Sequence, residues 1–248
     1  MKILFLGYGD CKLINFLRTE NEVFQTTERV SFELVKEFEP ELIISYGYTH
    51  IIRDRVLQEY EGRIINLHIS YLPWNRGMYP NIWSVIDNTP KGVTIHLIDA
   101  GLDTGDIIFQ RKVEIGDNDT LATSYWKLRD KIENLFVENW SLIKNLNFER
   151  IQQEPGGTFH LKKTSEKYFK YLGIMNKWGT TVRELKEKSD EDIINEVQKI
   201  RAKNNTHWMD VVKLAFRTSP IEARQIFKNI KYCDEKINVL LNELADND

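Results

Sequence analysis

The chain has 248 residues, with 34 Lys and Arg against 37 Asp and Glu and a formal net charge of -3. That balance offers no basic field to grip a nucleic acid backbone. Apolar residues make up 42% and charged residues 29%, the proportions of a globular protein with room for one large domain and a smaller appendage. Its two cysteines, Cys11 and Cys233, are too few and too far apart to suggest a disulfide framework or a thiolate metal site, which fits a reducing cytoplasmic compartment.

Ile3 to Leu6 is an apolar run that stops at Gly7, too short for a signal-peptide core or a membrane span, and is predicted as a buried strand. Gly7-Tyr8-Gly9-Asp10-Cys11-Lys12 follows as a strand-to-helix turn, whose tyrosine and aspartate do not suit a tight phosphate cradle. Ser31 to Phe38 is predicted as a short crossover helix ended by Pro40. Leu42 to Ser45, Ile64 to Leu67 and Val93 to Ile98 are further strands, separated by stretches long enough to hold helices. This rhythm predicts an α/β domain with a largely parallel sheet. Thr120 to Asn145 carries Leu121, Leu128, Ile132, Leu135, Phe136 and Leu142 at helical spacing and closes a first domain over residues 1–150.

Gln152 to Thr158 is rich in turn residues and opens a linker or extension, residues 151–185, that holds Tyr168, Phe169 and Tyr171. Beyond it, Ser189 with Asp192 and Ser219-Pro220 with Glu222 are helix-start signatures. Apolar stripes at Ile193, Val197 and Ile200, at Ile226 and Ile230, and at Ile237, Leu240, Leu241 and Leu244 predict a small C-terminal helical region over 186–248. Such stripes serve an intramolecular core or a contact with a second copy. Lys162-Lys163 and the charged run Arg183 to Lys188 are predicted as solvated faces.

Asn66 and His68, two residues apart at a strand end, point to the same face because side chains alternate along a strand. An Asn amide and a protonated His both donate hydrogen bonds, which suits an oxyanion forming at an attacked carbonyl. Asp103, in Gly101-Leu102-Asp103-Thr104-Gly105-Asp106, supplies a carboxylate that orients an imidazole and accepts a proton. Taken alone, the same residues also fit a satisfied strand end and a turn aspartate. Gly-x-Ser-x-Gly is absent and Cys11 has no base near it in sequence, so the nucleophile is expected from a substrate. His50, His160 and His207 lack metal-ligand spacing, and no metal is expected. His96 alternates with Val93, Ile95 and Leu97, which places it on the other face of its strand in a packing role.

Three segments in order, Asn66-Leu67-His68-Ile69-Ser70-Tyr71-Leu72-Pro73, then Gly92-Val93-Thr94-Ile95-His96, then Asp99 to Ile107, resemble the folate-dependent formyltransferase family. The likeness covers about a third of the chain well. It implies a Rossmann-like, mostly parallel sheet with helices on both faces, and formyl transfer from N10-formyltetrahydrofolate to an amine. Asn66, His68 and Asp103 match the family's catalytic trio, with Asn66 and His68 on the oxyanion and Asp103 taking the amine's proton. The likeness also implies folate contacts along the sheet's carboxyl edge, at Tyr46, Tyr48, Ile51, Ile98, Gly101 and Leu102. Methionyl-tRNA formyltransferases carry a longer C-terminal barrel and a basic surface, which this sequence does not match.

The loop Pro73 to Ser84 looks most like that of bacterial nucleotide-sugar N-formyltransferases. An acceptor pocket is therefore expected around Tyr8, Arg76, Tyr79 and Asn81, with Trp83 packing its helix. From Asn204-Asn205-Thr206-His207-Trp208-Met209 onward the tail resembles an extension of pseudaminic acid pathway enzymes. It tilts the acceptor toward a UDP-linked 4-amino-4,6-dideoxy-N-acetylhexosamine for a surface glycan, with a dTDP-linked amino sugar as the rival. A formyltetrahydrofolate hydrolase, a transferase for another small amine and a non-catalytic binding module are the other readings, and a homodimer is left open.

Overall fold

The computed structural model describes residues 1–52, 54–175 and 177–245, and within them the side chains of 54, 171, 188–197, 199, 200, 203–207, 233 and 238–245 lie outside the description. It divides into two units, Met1–Ser189 and the residues from Asp190 onward. The first unit runs β1 (Lys2–Gly7), α1 (Lys12–Arg18), β2 (Glu22–Thr26), α2 (Phe32–Phe38), β3 (Leu42–Tyr46), α3 (Asp54–Glu59), β4 (Ile64–His68), β5 (Arg76–Gly77) and α4 (Pro80–Ile86). It continues through β6 (Gly92–Leu97), β7 (Ile107–Lys112), α5 (Leu121–Glu138), α6 (Trp140–Lys144), β8 (Phe159–His160) and α7 (Lys162–Tyr171), and the helices α8 (Val182–Thr218) and α9 (Pro220–Ala245) follow.

Six strands share one sheet in the order β2-β1-β3-β4-β6-β7. The first four are mutually parallel, whereas β6 runs antiparallel to β4 and β7 antiparallel to β6. The predicted strands coincide with β1, β3, β4 and β6. The edge strands β2 and β7 escape sequence reasoning because each is only partly buried and its pattern is mixed rather than apolar. A second, two-stranded sheet pairs β5 with β8.

Alternation along each strand feeds two cores. Ile3, Phe5, Leu42, Ile44, Ile65, Leu67, Val93, Ile95 and Leu97 pack toward α1, α5 and α6. Leu4, Leu6, Ile43 and Ile64 pack toward α2 and α3. On that second face β4 and β6 switch to Asn66, His68, Thr94 and His96. Each apolar side chain forgone there costs about 1.5–3 kcal/mol of burial, so the polar cluster is a feature that stability alone would not select.

The crossover helix expected over Ser31 to Phe38 is α2, capped by the Ser31 hydroxyl, which accepts the Leu34 N–H at 3.1 Å, and ended at Glu39 in the left-handed region with φ 50° before Pro40. The long helix predicted for Thr120 to Asn145 is instead two, α5 and α6. The break falls at Asn139, whose φ of -106° and ψ of 8° leave the helical range. α5 starts from a capping box between Thr120 and Thr123.

Residues 151–185 pack within the first unit: β8 pairs with β5, and Phe169, Leu172, Ile174, Val182 and Leu185 form a third core with Ile82, Trp83 and Val85 of α4. Trp83 stacks on His160 with ring centroids 3.9 Å apart and donates Nε1–H to Ser165 Oγ at 2.9 Å, so it packs its helix as expected. The helix start read at Ser189 is displaced. α8 is already helical from Val182, where Thr181 Oγ1 accepts the Glu184 N–H and Glu184 Oε2 accepts the Thr181 N–H, a reciprocal cap spaced like the one read at Ser189.

In the second unit α9 begins at Pro220 as Ser219-Pro220 suggests, and Phe216 meets Phe227 edge-on at 5.6 Å. The stripe residues Ile226, Ile230 and Ile237 are exposed. Ile193, Val197, Ile200, Leu240, Leu241 and Leu244, with Asn204 to His207, have side chains outside the described set. Among the described residues no helix is long and apolar enough to cross a membrane.

Candidate active site

Strand pairing brings the trio together. Asn66 and His68 close the carboxyl end of β4, and the antiparallel register sets Asn66 directly opposite His96 of β6. Asp103 enters from the following loop with φ 52°, a left-handed conformation that Asp tolerates better than most residues. Two glycines permit the loop's close approach. Gly77, at φ +90°, has no room for a Cβ, which would stand 2.4 Å from the His160 carbonyl oxygen, and a Cβ on Gly105 would stand 1.9 Å from that of Leu97.

Asp103 Oδ1 accepts from Asn66 Nδ2 at 3.1 Å and Oδ2 accepts the Gly77 N–H at 2.7 Å. His68 Nδ1 lies 3.7 Å from Oδ2, and His96 Nε2 lies 3.5 Å from Oδ1. The other nitrogen of His68, Nε2, is 3.1 Å from the carbonyl oxygen of Asn75. A carbonyl only accepts, so Nε2 carries a proton and a neutral His68 turns its lone pair at Nδ1 toward the carboxylate. Asn75 is completely buried and held by Thr89 and Thr158, which makes that carbonyl a fixed stop.

Burial pushes the His68 imidazole toward its neutral form, with the Asp103 charge opposing the shift. For Asp103, burial works against ionisation, but the His68 and His96 imidazoles and the Gly77 N–H outweigh it and hold the carboxyl well below the usual range. Burial thus favours a carboxylate beside a neutral imidazole in the resting site, where the sequence reading has a protonated His. The buried pair has room for one more proton, at His68 Nδ1 facing Asp103.

His96 corrects its expected packing role. Its strand alternation is as read, but the face opposite Val93, Ile95 and Leu97 is the face Asn66 occupies. His96 Nδ1 donates to the Leu97 carbonyl at 2.7 Å, while Nε2 faces the Asn66 amide at 3.2 Å. Only the register between β4 and β6 places it there.

Residues 16–139, half of the chain, match the Formyl transferase family. A crystal structure of the formyltransferase PseJ from Anoxybacillus kamchatkensis, in complex with UDP-4,6-dideoxy-4-formamido-L-AltNAc and tetrahydrofolate, is 45% identical with a TM-score of 0.71. The match covers 76% of this chain and 100% of that one. The chain belongs to the formyl transferase family.

About a quarter of this family member has no counterpart in the PseJ structure. Among curated relatives, the dTDP-4-amino-4,6-dideoxyglucose formyltransferase of Mycobacterium tuberculosis is 36% identical over 104 residues, 42% of this chain and 44% of that protein. Phosphoribosylglycinamide formyltransferase of Bacillus subtilis is 38% identical over 124 residues, 48% of this chain and 60% of that protein. The chain spans about half the length of the curated relatives it matches.

Around the trio, the residues singled out for folate divide. Tyr48 and Ile98 are partly buried against the core on the trio's side of the sheet. Ile51 is 84% and Leu102 45% exposed, and Gly101 lies on the surface in a turn closed by Asp99 and Thr104. The Tyr46 side chain faces away, buried on the opposite side of the sheet, where it donates to Glu133 Oε1 at 3.0 Å and accepts from Arg129 Nε at 3.1 Å. Its backbone carbonyl accepts the Tyr8 N–H at 3.0 Å.

The acceptor residues divide as well. Tyr8 shares Tyr46's face, its hydroxyl 2.7 Å from that of Tyr125 and its ring under the Arg129 guanidinium, 4.3 Å away. A cleft of about 500 Å³, walled in part by Lys12, Trp126, Arg129 and Glu133, opens beside this cluster. Arg76 is already engaged, Nε and Nη2 donating to Gln153 Oε1 at 3.2 and 2.8 Å and Nη1 to the Gly156 carbonyl at 3.3 Å. Tyr79 donates to Glu166 at 3.1 Å. Asn81 is 5% exposed and its Nδ2 has no hydrogen-bond partner, an unmet donor that costs about 1–3 kcal/mol when buried.

Cys11 is buried and its thiol is pushed up by that burial, which makes it a poor nucleophile. Among the described residues no cluster of His, Cys, Asp and Glu is placed to hold a metal ion.

Proposed function

We propose that this chain transfers a formyl group from N10-formyltetrahydrofolate to the amine of a nucleotide-linked amino-deoxy sugar. The favoured acceptor is UDP-4-amino-4,6-dideoxy-N-acetylhexosamine, with a dTDP-linked amino sugar second. The observation that carries the reading is the convergence of Asn66, His68 and Asp103 within hydrogen-bond and ion-pair reach of one another. The 45% identity to PseJ, which is covered along its whole length, supports the acceptor class.

In this reading the sugar amine attacks the formyl carbon, forming the new C–N bond as the bond to folate N10 breaks. The Asn66 amide swings the N–H that faces His96 Nε2 onto the developing oxyanion; such a donor is worth roughly 3 kcal/mol. The proton lost by the amine passes to the His68–Asp103 pair and on to the departing N10. Neither partner suffices alone: the carboxylate is too acidic to hold the proton and burial keeps the imidazole neutral, but an imidazolium against the carboxylate is stable. Folate lies along the carboxyl edge of the sheet, by Tyr48, Ile51 and Ile98 to Leu102. Tyr79 and the unmet donor of Asn81 face the acceptor, whereas Tyr8 lies on the far side of the sheet. The product serves a surface glycan of the pseudaminic acid type, assembled from the cytoplasm.

The test is incubation of the purified chain with N10-formyltetrahydrofolate and a panel of UDP- and dTDP-linked amino sugars, followed by mass spectrometry. A mass gain of one formyl group on a UDP-linked 4-amino sugar is the expected result. Folate deformylation that ignores every sugar would establish a hydrolase, and no turnover with any acceptor would leave a binding module; either outcome sinks the transferase reading.

A further inference from the structure

Gln153 follows a bridge between Ile107 and Ile151, in a segment that sequence reasoning treats as a polar turn. Its half-buried amide makes four hydrogen bonds. Nε2 donates to the carbonyls of Asp103 and Gly105, both at 2.8 Å. Oε1 accepts from Arg76 Nε at 3.2 Å and Nη2 at 2.8 Å. Two donor hydrogens and two acceptor sites are the full capacity of a primary amide. Its orientation is therefore dictated, because turning it over would set an oxygen against two carbonyls and an NH2 against a guanidinium.

These partners flank the Asp103 carboxylate on two sides. One is the Asp103 turn itself, left-handed at φ 52° and in need of outside support. The other is β5, where Arg76 immediately precedes Gly77, whose N–H reaches Asp103 Oδ2 at 2.7 Å. The amide thus staples the loop that carries the carboxylate to the strand that hydrogen-bonds it.

We infer that Gln153 is a positioning residue for Asp103, and that Arg76 acts by holding Gln153 rather than by binding the acceptor. The inference rests on the catalytic reading of Asp103. A displacement of about 1 Å at a reacting group lowers turnover by about 10²-fold. Loss of the staple is expected to act on kcat at that scale and to leave both KM values near wild type.

The test compares the full chain with Gln153→Leu, Gln153→Glu, Arg76→Leu and the Gln153→Leu/Arg76→Leu double variant, each checked for a wild-type circular dichroism spectrum. Gln153→Leu should lose about 10²-fold in kcat, and Arg76→Leu should add little in that background. Gln153→Glu keeps the Arg76 contact but sets an oxygen against both carbonyls, and should fall as far; it is also the fallback should the leucine variant not fold. An NMR titration of the His68 imidazole supplies a readout that needs no turnover. Asp103 raises the His68 pKa, so a retreating carboxylate should move it further below its ordinary value of about 6.5. Wild-type kcat in Gln153→Leu, an unmoved His68 titration, additive losses, or an Arg76→Leu variant impaired only in acceptor KM would each overturn the inference. Failure of the transferase reading would look different: no formyl transfer by the wild type, with the His68 shift still present in the variant.

Discussion

Asp103→Asn preserves shape and removes only the charge and one acceptor. In the native site Oδ1 receives the Asn66 amide and Oδ2 receives the Gly77 N–H. An asparagine has one oxygen, so whichever way its amide turns, its NH2 meets a donor and one buried hydrogen bond is lost, at a cost of about 1–3 kcal/mol. The catalytic loss is larger. An imidazolium at His68 lies 3.7 Å from the carboxylate, which at an effective dielectric of about 20 corresponds to about 4 kcal/mol of attraction. Losing it should slow formyl transfer by about 10³-fold. Steady-state turnover, read as tetrahydrofolate release, measures the rate, and thermal unfolding measures the smaller stability term as a fall of a few degrees in Tm. A variant within tenfold of wild type would refute the proton-holding role. An intact rate beside a large drop in Tm would reduce Asp103 to a structural residue.

Burial shifts His68 toward neutrality, so kcat/KM should hold across neutral pH and fall only below about 6.5. Asp103→Asn removes the charge that raises the His68 pKa and should move this acid limb lower still; a limb moving upward would contradict the assignment. Asp103 is depressed in the folded state, so its contribution to stability is present above its unfolded value of about 3.9 and lost as pH falls through the folded value. Denaturant titrations should therefore show the gap between wild type and Asp103→Asn closing only in that acid range. Glu133→Leu would strand the buried Arg129 guanidinium, 3.3 Å from Glu133, and should cost about 3–5 kcal/mol, visible as a large fall in Tm; an unchanged Tm would mean that Tyr46 and the surrounding rings suffice. Asn81→Ala removes an unmet donor and should raise the acceptor KM with little loss of stability, whereas a marked drop in Tm with unchanged KM would make Asn81 structural.

The parts of this site carried by local chemistry were legible in the sequence. Asn66 and His68 share a face through strand alternation, and Asp103 stands in a glycine-rich turn whose tight geometry only small neighbours permit. The Pro220 start was legible for the same reason, since it depends on residues within one turn. His96 was assigned to packing because alternation tells which side chains share a face, not which face meets the next strand. Arg76 reads as a ligand contact because a cation in an aromatic loop carries no mark of its partner; in the structure it meets Gln153, 77 residues away.

The sequence by itself determined an alternating α/β chain, a formyl transferase motif and the identity of the trio, because periodicity, turn chemistry and motif spacing act over short stretches. The tertiary structure alone decided that His96 joins the trio across the β4–β6 register, and that Tyr46 turns to the far face to meet Arg129 and Glu133. It alone decided that the Asn75 carbonyl fixes the tautomer of His68 and that Gln153 ties the Asp103 turn to β5. Each of these depends on a hydrogen bond or strand register between distant segments, and such pairings are settled by how the whole core packs rather than by any local run of residues.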